Sequence, residues 1–246
     1  MRGLKESLLP IDLPTAATAA EAAASAAEGH RGRMRARLLR AGADALADYE
    51  LLEMVLYIAL PRRDTKALSR ALLSRFGSFA AVLAAPEAAL RAIEGMGDSG
   101  TATIKLVHAA ALRLARAEAT AQPVLANWDR LMAYLNAAMA REPVEQFRVL
   151  FLDNRNRLLA DESQGSGTVN HTPVYPREVI KRALELNATA FILVHNHPSG
   201  DPTPSEEDIA MTREIKQGAD ALSIVLHDHV IVGNGRWVSF RRAGLL

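Results

Sequence analysis

The chain has 246 residues, 49% of them apolar and 23% charged, and a formal net charge of +1; this is an ordinary soluble composition, long enough for one large domain or two modest ones, and the charge says little about partners. It contains no cysteine, which excludes disulfides, thiolate metal sites and cysteine nucleophiles. Any metal must therefore sit on His, Asp or Glu, as zinc, iron or manganese can.

Residues 1–29 are rich in Ala, Thr and Pro with no aromatic anchor, and are expected to form a disordered tail. The tract Ala16 to Ala27 is interrupted by Thr18, Glu21 and Ser25, which argues against a secretory signal. No window approaches the roughly 18 uninterrupted apolar residues of a membrane span, so a cytoplasmic chain with no membrane partner is expected.

Residues 30–118 read as a small helical domain. Asp48 is expected to cap a helix through Leu52 and Leu56 that Pro61 ends, and Asp64 to cap one through Leu68 and Leu72 that stops near Gly77. Pro86 opens a short helix, and a long one starts at about Thr101. Between these two, Ile93-Glu94-Gly95-Met96-Gly97 resembles the turn of a helix-hairpin-helix motif. The resemblance implies that backbone N–H groups near Gly95 and Gly97 bind a DNA phosphate without reading sequence. Arg31, Arg33, Arg35, Arg37 and Arg40 add positive charge, whereas Glu94 and Asp98 beside the glycines would repel phosphate. Such turns also serve as plain packing units, and basic runs as solvated faces.

Residues 119–126, with Pro123, read as a linker, and 127–246 as a second domain. There Phe147 to Leu152 and Arg157 to Ala160 read as strands about the Asp153-Asn154 turn. A helix from Pro176 follows, then a strand at Ala188 to Val194 and a helix from Ser205 to about Gln217. Strands at Leu222 to Leu226, His229 to Val232 and Trp237 to Phe240 complete the chain. Strands alternating with helices imply a mixed sheet flanked by helices.

The chemistry concentrates in His195-Asn196-His197-Pro198, followed by Ser205 and Asp208. Histidines two apart at a strand end share a face of the pleat and can share a metal. The Gly- and Pro-rich turn then lets a helix bring Asp208 back. Two imidazoles and one carboxylate leave a fourth zinc position open, as catalytic sites do. The plainer readings are a surface histidine pair and a Ser205–Asp208 capping box, with Asp in place of the usual Glu or Gln.

The set His195, His197, Pro198, Ser205 and Asp208 has the spacing of the JAMM (MPN+) metalloproteases. Together with Val174-Tyr175-Pro176-Arg177-Glu178, Asp228-His229 and Ser239-Phe240, it resembles the bacterial RadC family. That resemblance implies a cytidine-deaminase-like mixed α/β sheet of JAMM/MPN type behind a small all-α domain. It further implies one Zn²⁺ per chain on His195, His197 and Asp208, with Glu145 as general base and Ser205 at the oxyanion. Glu142 and Glu162 are the alternatives to Glu145. The expected activity is zinc-dependent hydrolysis of an amide bond in a polypeptide; the competing expectation is a DNA repair or recombination protein whose metal domain is accessory. His227 and His229 form a second H-x-H without a following carboxylate and read as structural. The signatures of deaminases and zincins are absent. Gly165-Ser166-Gly167 precedes no helix start and reads as a loop near the substrate groove. Substrate identity and oligomeric state have no signature in the sequence.

Overall fold

A computed structural model describes residues 16–166 and 174–246, and side chains from residue 29 onward apart from 165 and 166; Gly167 lies outside it. The chain divides into two compact units, residues 1–79 with 91–103, and residues 80–90 with 104–246.

The first unit is helical. Helix α1 spans Ala16–Ala41, so part of the stretch expected as a tail continues this helix, alanine being the strongest helix former. Helix α2 (Asp48–Ala59) starts one residue earlier than Asp48 as cap would require: Ala47 is the N-cap, and its N–H is satisfied by Glu50 at 3.0 Å. Asp48 instead accepts from the Phe79 N–H at 3.1 Å. Thr65 likewise replaces Asp64 as the cap of α3 (Lys66–Phe76), although Asp64 still accepts from the Lys66 N–H. Gly77 closes α3 at φ 91°, a conformation that costs a residue with a Cβ. Two short helices, α4 (Phe79–Ala84) and α5 (Glu87–Arg91), belong almost wholly to the second unit, and α6 (Gly97–Thr120) begins in the first and ends in the second. Helix α6 begins four residues before Thr101, because Gly95 and Gly97 take positive φ and turn the chain early.

In the second unit, Ala119 near the end of α6 and Val124 are buried, and the Val124 N–H donates to Asn156 O at 2.9 Å. Helix α7 (Trp128–Met139), which the sequence reading did not resolve, buries Leu131, Met132, Leu135 and Met139. The sheet follows: β1 (Gln146–Leu152), β2 (Leu158–Ser166), α8 (Pro176–Glu185), β3 (Ala190–Asn196), α9 (Glu206–Ala221), β4 (Val225–Val232) and β5 (Trp237–Ser239). Its order is β2-β1-β3-β4-β5, with β3 and β4 parallel and the other neighbours antiparallel.

Period-two alternation divides the core. Leu150, Leu152, Ile192 and Val194 pack on α7, whereas Phe147, Val149, Phe151, Phe191 and Leu193 pack under Val179 and Ala183 of α8 and Ile215 and Ala219 of α9. Each buried Phe contributes on the order of 1.5–3 kcal/mol.

The two strands expected at 222–226 and 229–232 are one strand, β4. Its register against β3 slips by a residue, Phe191 pairing with Leu226 and Ile192 with Asp228. The extra residue, His227, breaks the apolar alternation that the sequence displays, and it reverses which face the later residues of β4 present. Leu193 then pairs with His229, which sets His229 on the α8/α9 face.

Candidate metal centre

Strand β3 is buried along its whole length, and the alternation that puts Phe191 and Leu193 under α9 puts His195 there too. His195 is 1% exposed, with its ring stacked on Phe147 at 6.1 Å between centroids. His197 lies just past the strand, and its N–H donates to Val232 O at 3.0 Å, which prolongs the strand direction and keeps its imidazole on the same face. The following turn is held tightly. Gly200 adopts φ +82°, and a Cβ on Gly233 would meet the Gly200 oxygen at 2.3 Å. Here glycine is required by contact. At 2.8 Å from the Asp201 carbonyl, His197 Nδ1 must be the donor, since a carbonyl can only accept.

Asp208 comes from the first turn of α9, and Ser205 is the N-cap. The Ser205 N–H and O–H both donate to Asp208 Oδ2, at 2.8 and 2.6 Å, and Ser205 Oγ accepts from the Asp208 N–H at 3.1 Å. The capping box expected as the plainer reading is therefore formed, and it serves the site: with Oδ2 occupied, Oδ1 is left facing His195 Nε2 at 3.2 Å. His197 Nε2 lies 3.0 Å from His195 Nε2 and 3.5 Å from Asp208 Oδ2.

His195, His197 and Asp208 each offer a ligand atom, and these atoms lie within 4.8 Å of one another. With its proton on Nδ1, His197 presents a lone pair at Nε2. Two imidazole nitrogens and a carboxylate oxygen, crowded into a half-buried corner, suit a cation that takes mixed N and O ligands, so the three residues fit zinc. Burial opposes the charge of Asp208, yet its contacts with His195, His197 and Ser205 hold its carboxyl well below the usual carboxylate range. The contact with Asp208 raises His197 against its own burial, so a proton and a metal ion compete for its Nε2.

Glu145 immediately precedes β1. Phe147, two residues on, pairs with His195, which brings the start of β1 beside the histidine end of β3. The negative charge of Glu145 is felt at His197. Glu142 and Glu162 are the other two candidate bases. Glu142 accepts from Gln146 Nε2 at 3.2 Å, and Glu162 is gripped by both ends of the Arg182 guanidinium at 2.8 and 2.7 Å.

Asn196 and Thr212 escaped the sequence reading, and His229, expected to be structural, lies against the site. Asn196 points to the opposite face from the histidines, where Oδ1 accepts from the Gln146 N–H at 2.9 Å and Nδ2 donates to Val144 O at 3.2 Å and Glu142 O at 3.4 Å. It thus fixes the segment carrying Glu145; its place between two same-face histidines was the available signal. Thr212 of α9 touches His229, and His229 touches His195 Nδ1 at 2.8 Å. His227, as expected, is structural: its Nε2 meets Asn156 Oδ1 at 2.7 Å.

Gly95 and Gly97 lie in the first unit, at φ 85° and 56°. Arg63 donates to Gly95 O at 2.9 Å, and Asp98 is paired with Arg91.

Residues 125–245 match the family described as RadC-like JAB domain, and residues 29–102 match UPF0758 N-terminal. A UPF0758 protein of Rhodobacter capsulatus is 59% identical over 213 residues, spanning 87% of this chain and all of that one. Another, of Ruegeria pomeroyi, is 52% identical over 217 residues, 88% of this chain and 97% of its own length.

Proposed function

The chain belongs to the UPF0758 family, the RadC family, and from that premise we propose that it is a zinc-dependent hydrolase of metallopeptidase type, cleaving an amide bond in a polypeptide. The observation that carries this reading is the convergence of His195, His197 and Asp208 on one corner, with the charge of Glu145 felt at His197. Zinc, when bound, supplies Lewis acidity that lets a water ionise near neutral pH. Glu145 takes the water's proton and passes it to the leaving amine. Ser205 turns its hydroxyl from Asp208 to the attacked carbonyl oxygen and stabilises the charge that develops there, while its N–H continues to hold Asp208.

The test is elemental analysis of the purified chain together with digestion of an unbiased peptide library. Zinc at about one per chain, with cleavage that chelation abolishes, is expected. Zinc without cleavage across the library leaves a metal protein that is not a peptidase.

A second reading concerns the helical unit: sequence-independent DNA binding at the turn of Gly95 and Gly97. It is favoured by the positive φ of both glycines and by the Arg63 guanidinium at Gly95. Association of the full chain with duplex DNA should weaken steeply with salt, and flat or absent binding removes it.

A further inference from the structure

We propose that Thr212 and His229 are positioning residues that fix which nitrogen of His195 carries its proton, and thereby keep Nε2 bare toward the metal. This rests on the zinc reading above. Thr212 Oγ1 lies 2.5 Å from the carbonyl oxygen of Asp208. A carbonyl has no proton to give, so at that separation the threonine proton lies between the two oxygens. A hydroxyl has one proton, and toward His229 Nδ1, 2.6 Å away, Thr212 is left only as an acceptor. His229 Nδ1 therefore bears hydrogen.

The next step depends on charge. His229 is fully buried, packed against the rings of Phe147 and Phe240, and with a hydroxyl and an imidazole as its ring's hydrogen-bond partners it has no counter-charge beside it to hold an imidazolium. It is neutral, its single proton is spent on Nδ1, and Nε2 is bare. At 2.8 Å from His195 Nδ1, that nitrogen must accept, so His195 donates from Nδ1 and turns an unprotonated Nε2 toward His197 and Asp208. The direction of the chain is thus set four atoms away, by a hydroxyl on the same helix that supplies Asp208. Without that hydroxyl, the buried Nδ1–H of His229 has no acceptor. The proton then moves to His229 Nε2, which donates to His195 Nδ1 and forces hydrogen onto the nitrogen that should hold the ion.

The test compares Thr212→Val, which keeps the shape and loses the hydroxyl, with Thr212→Ser, which keeps the hydroxyl. Zinc affinity of the full chain is measured by chelator competition, beside the melting temperature of the metal-free proteins. Thr212→Val is expected to bind zinc about 10–100-fold more weakly, the range typical of losing an outer-sphere partner of a metal-bound histidine. Thr212→Ser should stay within about threefold, with both metal-free variants melting near the wild type. Wild-type affinity in Thr212→Val overturns the proposal. Should that variant fail to fold, long-range proton–nitrogen NMR of the wild-type imidazoles at alkaline pH decides. His195 and His229 both carrying hydrogen on Nδ1 supports the chain, and hydrogen on Nε2 of His195 refutes it. A wild type that takes up no zinc defeats the metal reading instead, and the NMR assignment still answers the question of tautomer.

Discussion

Ser205 has two uses for one hydroxyl: it caps α9 and orients Asp208, and in the proposed reaction it meets the developing oxyanion. Replacing it with alanine should separate the two. Losing the cap costs about 1 kcal/mol in the metal-free protein, read as a lower melting temperature, whereas losing an oxyanion donor costs about 10²–10³ in kcat. A variant that is destabilised yet turns over normally would confine Ser205 to its structural duty. Glu145→Gln tests the base: hydrolysis should fall by about 10²–10⁴ with zinc content unchanged. The convergence of His195, His197 and Asp208 was readable from the sequence because their spacing is local, a strand pleat and one helical turn. Thr212 and His229 were not, because what gives them meaning is a contact across 17 residues of chain that only the assembled layers create.

At the scale of elements, the strands and helices that carry the ligands follow from alternation and from Pro176 and Ser205 at helix starts. Two features resisted. The register slip at His227 made one strand look like two. Helix α7 carried a signal that went unread, since Leu131, Met132, Leu135 and Met139 recur at helical spacing. Tyr134 donates to Asp161 at 2.7 Å, and Asp161 also takes two hydrogen bonds from Arg148 of β1. Burial, then the bond to Asp161, pushes the Tyr134 hydroxyl up to about 12 from 10.0. The folded state thus retains this proton more tightly than the unfolded chain does. Stability from this source is complete below pH 10 and is lost as pH rises through about 12. Tyr134→Phe should remove that part of the alkaline decline, as followed by denaturant melts across the interval. Asn196 offers a second test between elements. Asn196→Asp would face a carboxylate with the carbonyls of Glu142 and Val144, and is expected to cost about 1–3 kcal/mol and to depress turnover through Glu145.

At the scale of the whole chain, a helical part followed by a mixed-sheet part was legible in the change of texture along the sequence, and the two compact units divide within α4, α5 and α6. The metal corner lies wholly within the second unit. Zinc at 100 times its dissociation constant should stabilise the protein that holds it by about 2.7 kcal/mol. Hydrogen exchange should slow in residues 190–235 on adding zinc and stay unchanged in 43–77; protection spread evenly over both stretches would contradict a site confined to one of them. No described helix is long and apolar enough to cross a membrane.

The slipped register in β4 makes chain length itself a carrier of chemical information. Deleting His227 would alter no ligand and no partner of one, yet it would rotate every later position of that strand by half a pleat and send the imidazole of His229 into the layer beneath α7. A single-codon loss at a position outside the metal corner would then act like a lesion within it. Between Leu226 and Asp228, relatives of this protein should therefore tolerate exchange of side chains far more readily than any gain or loss of a residue.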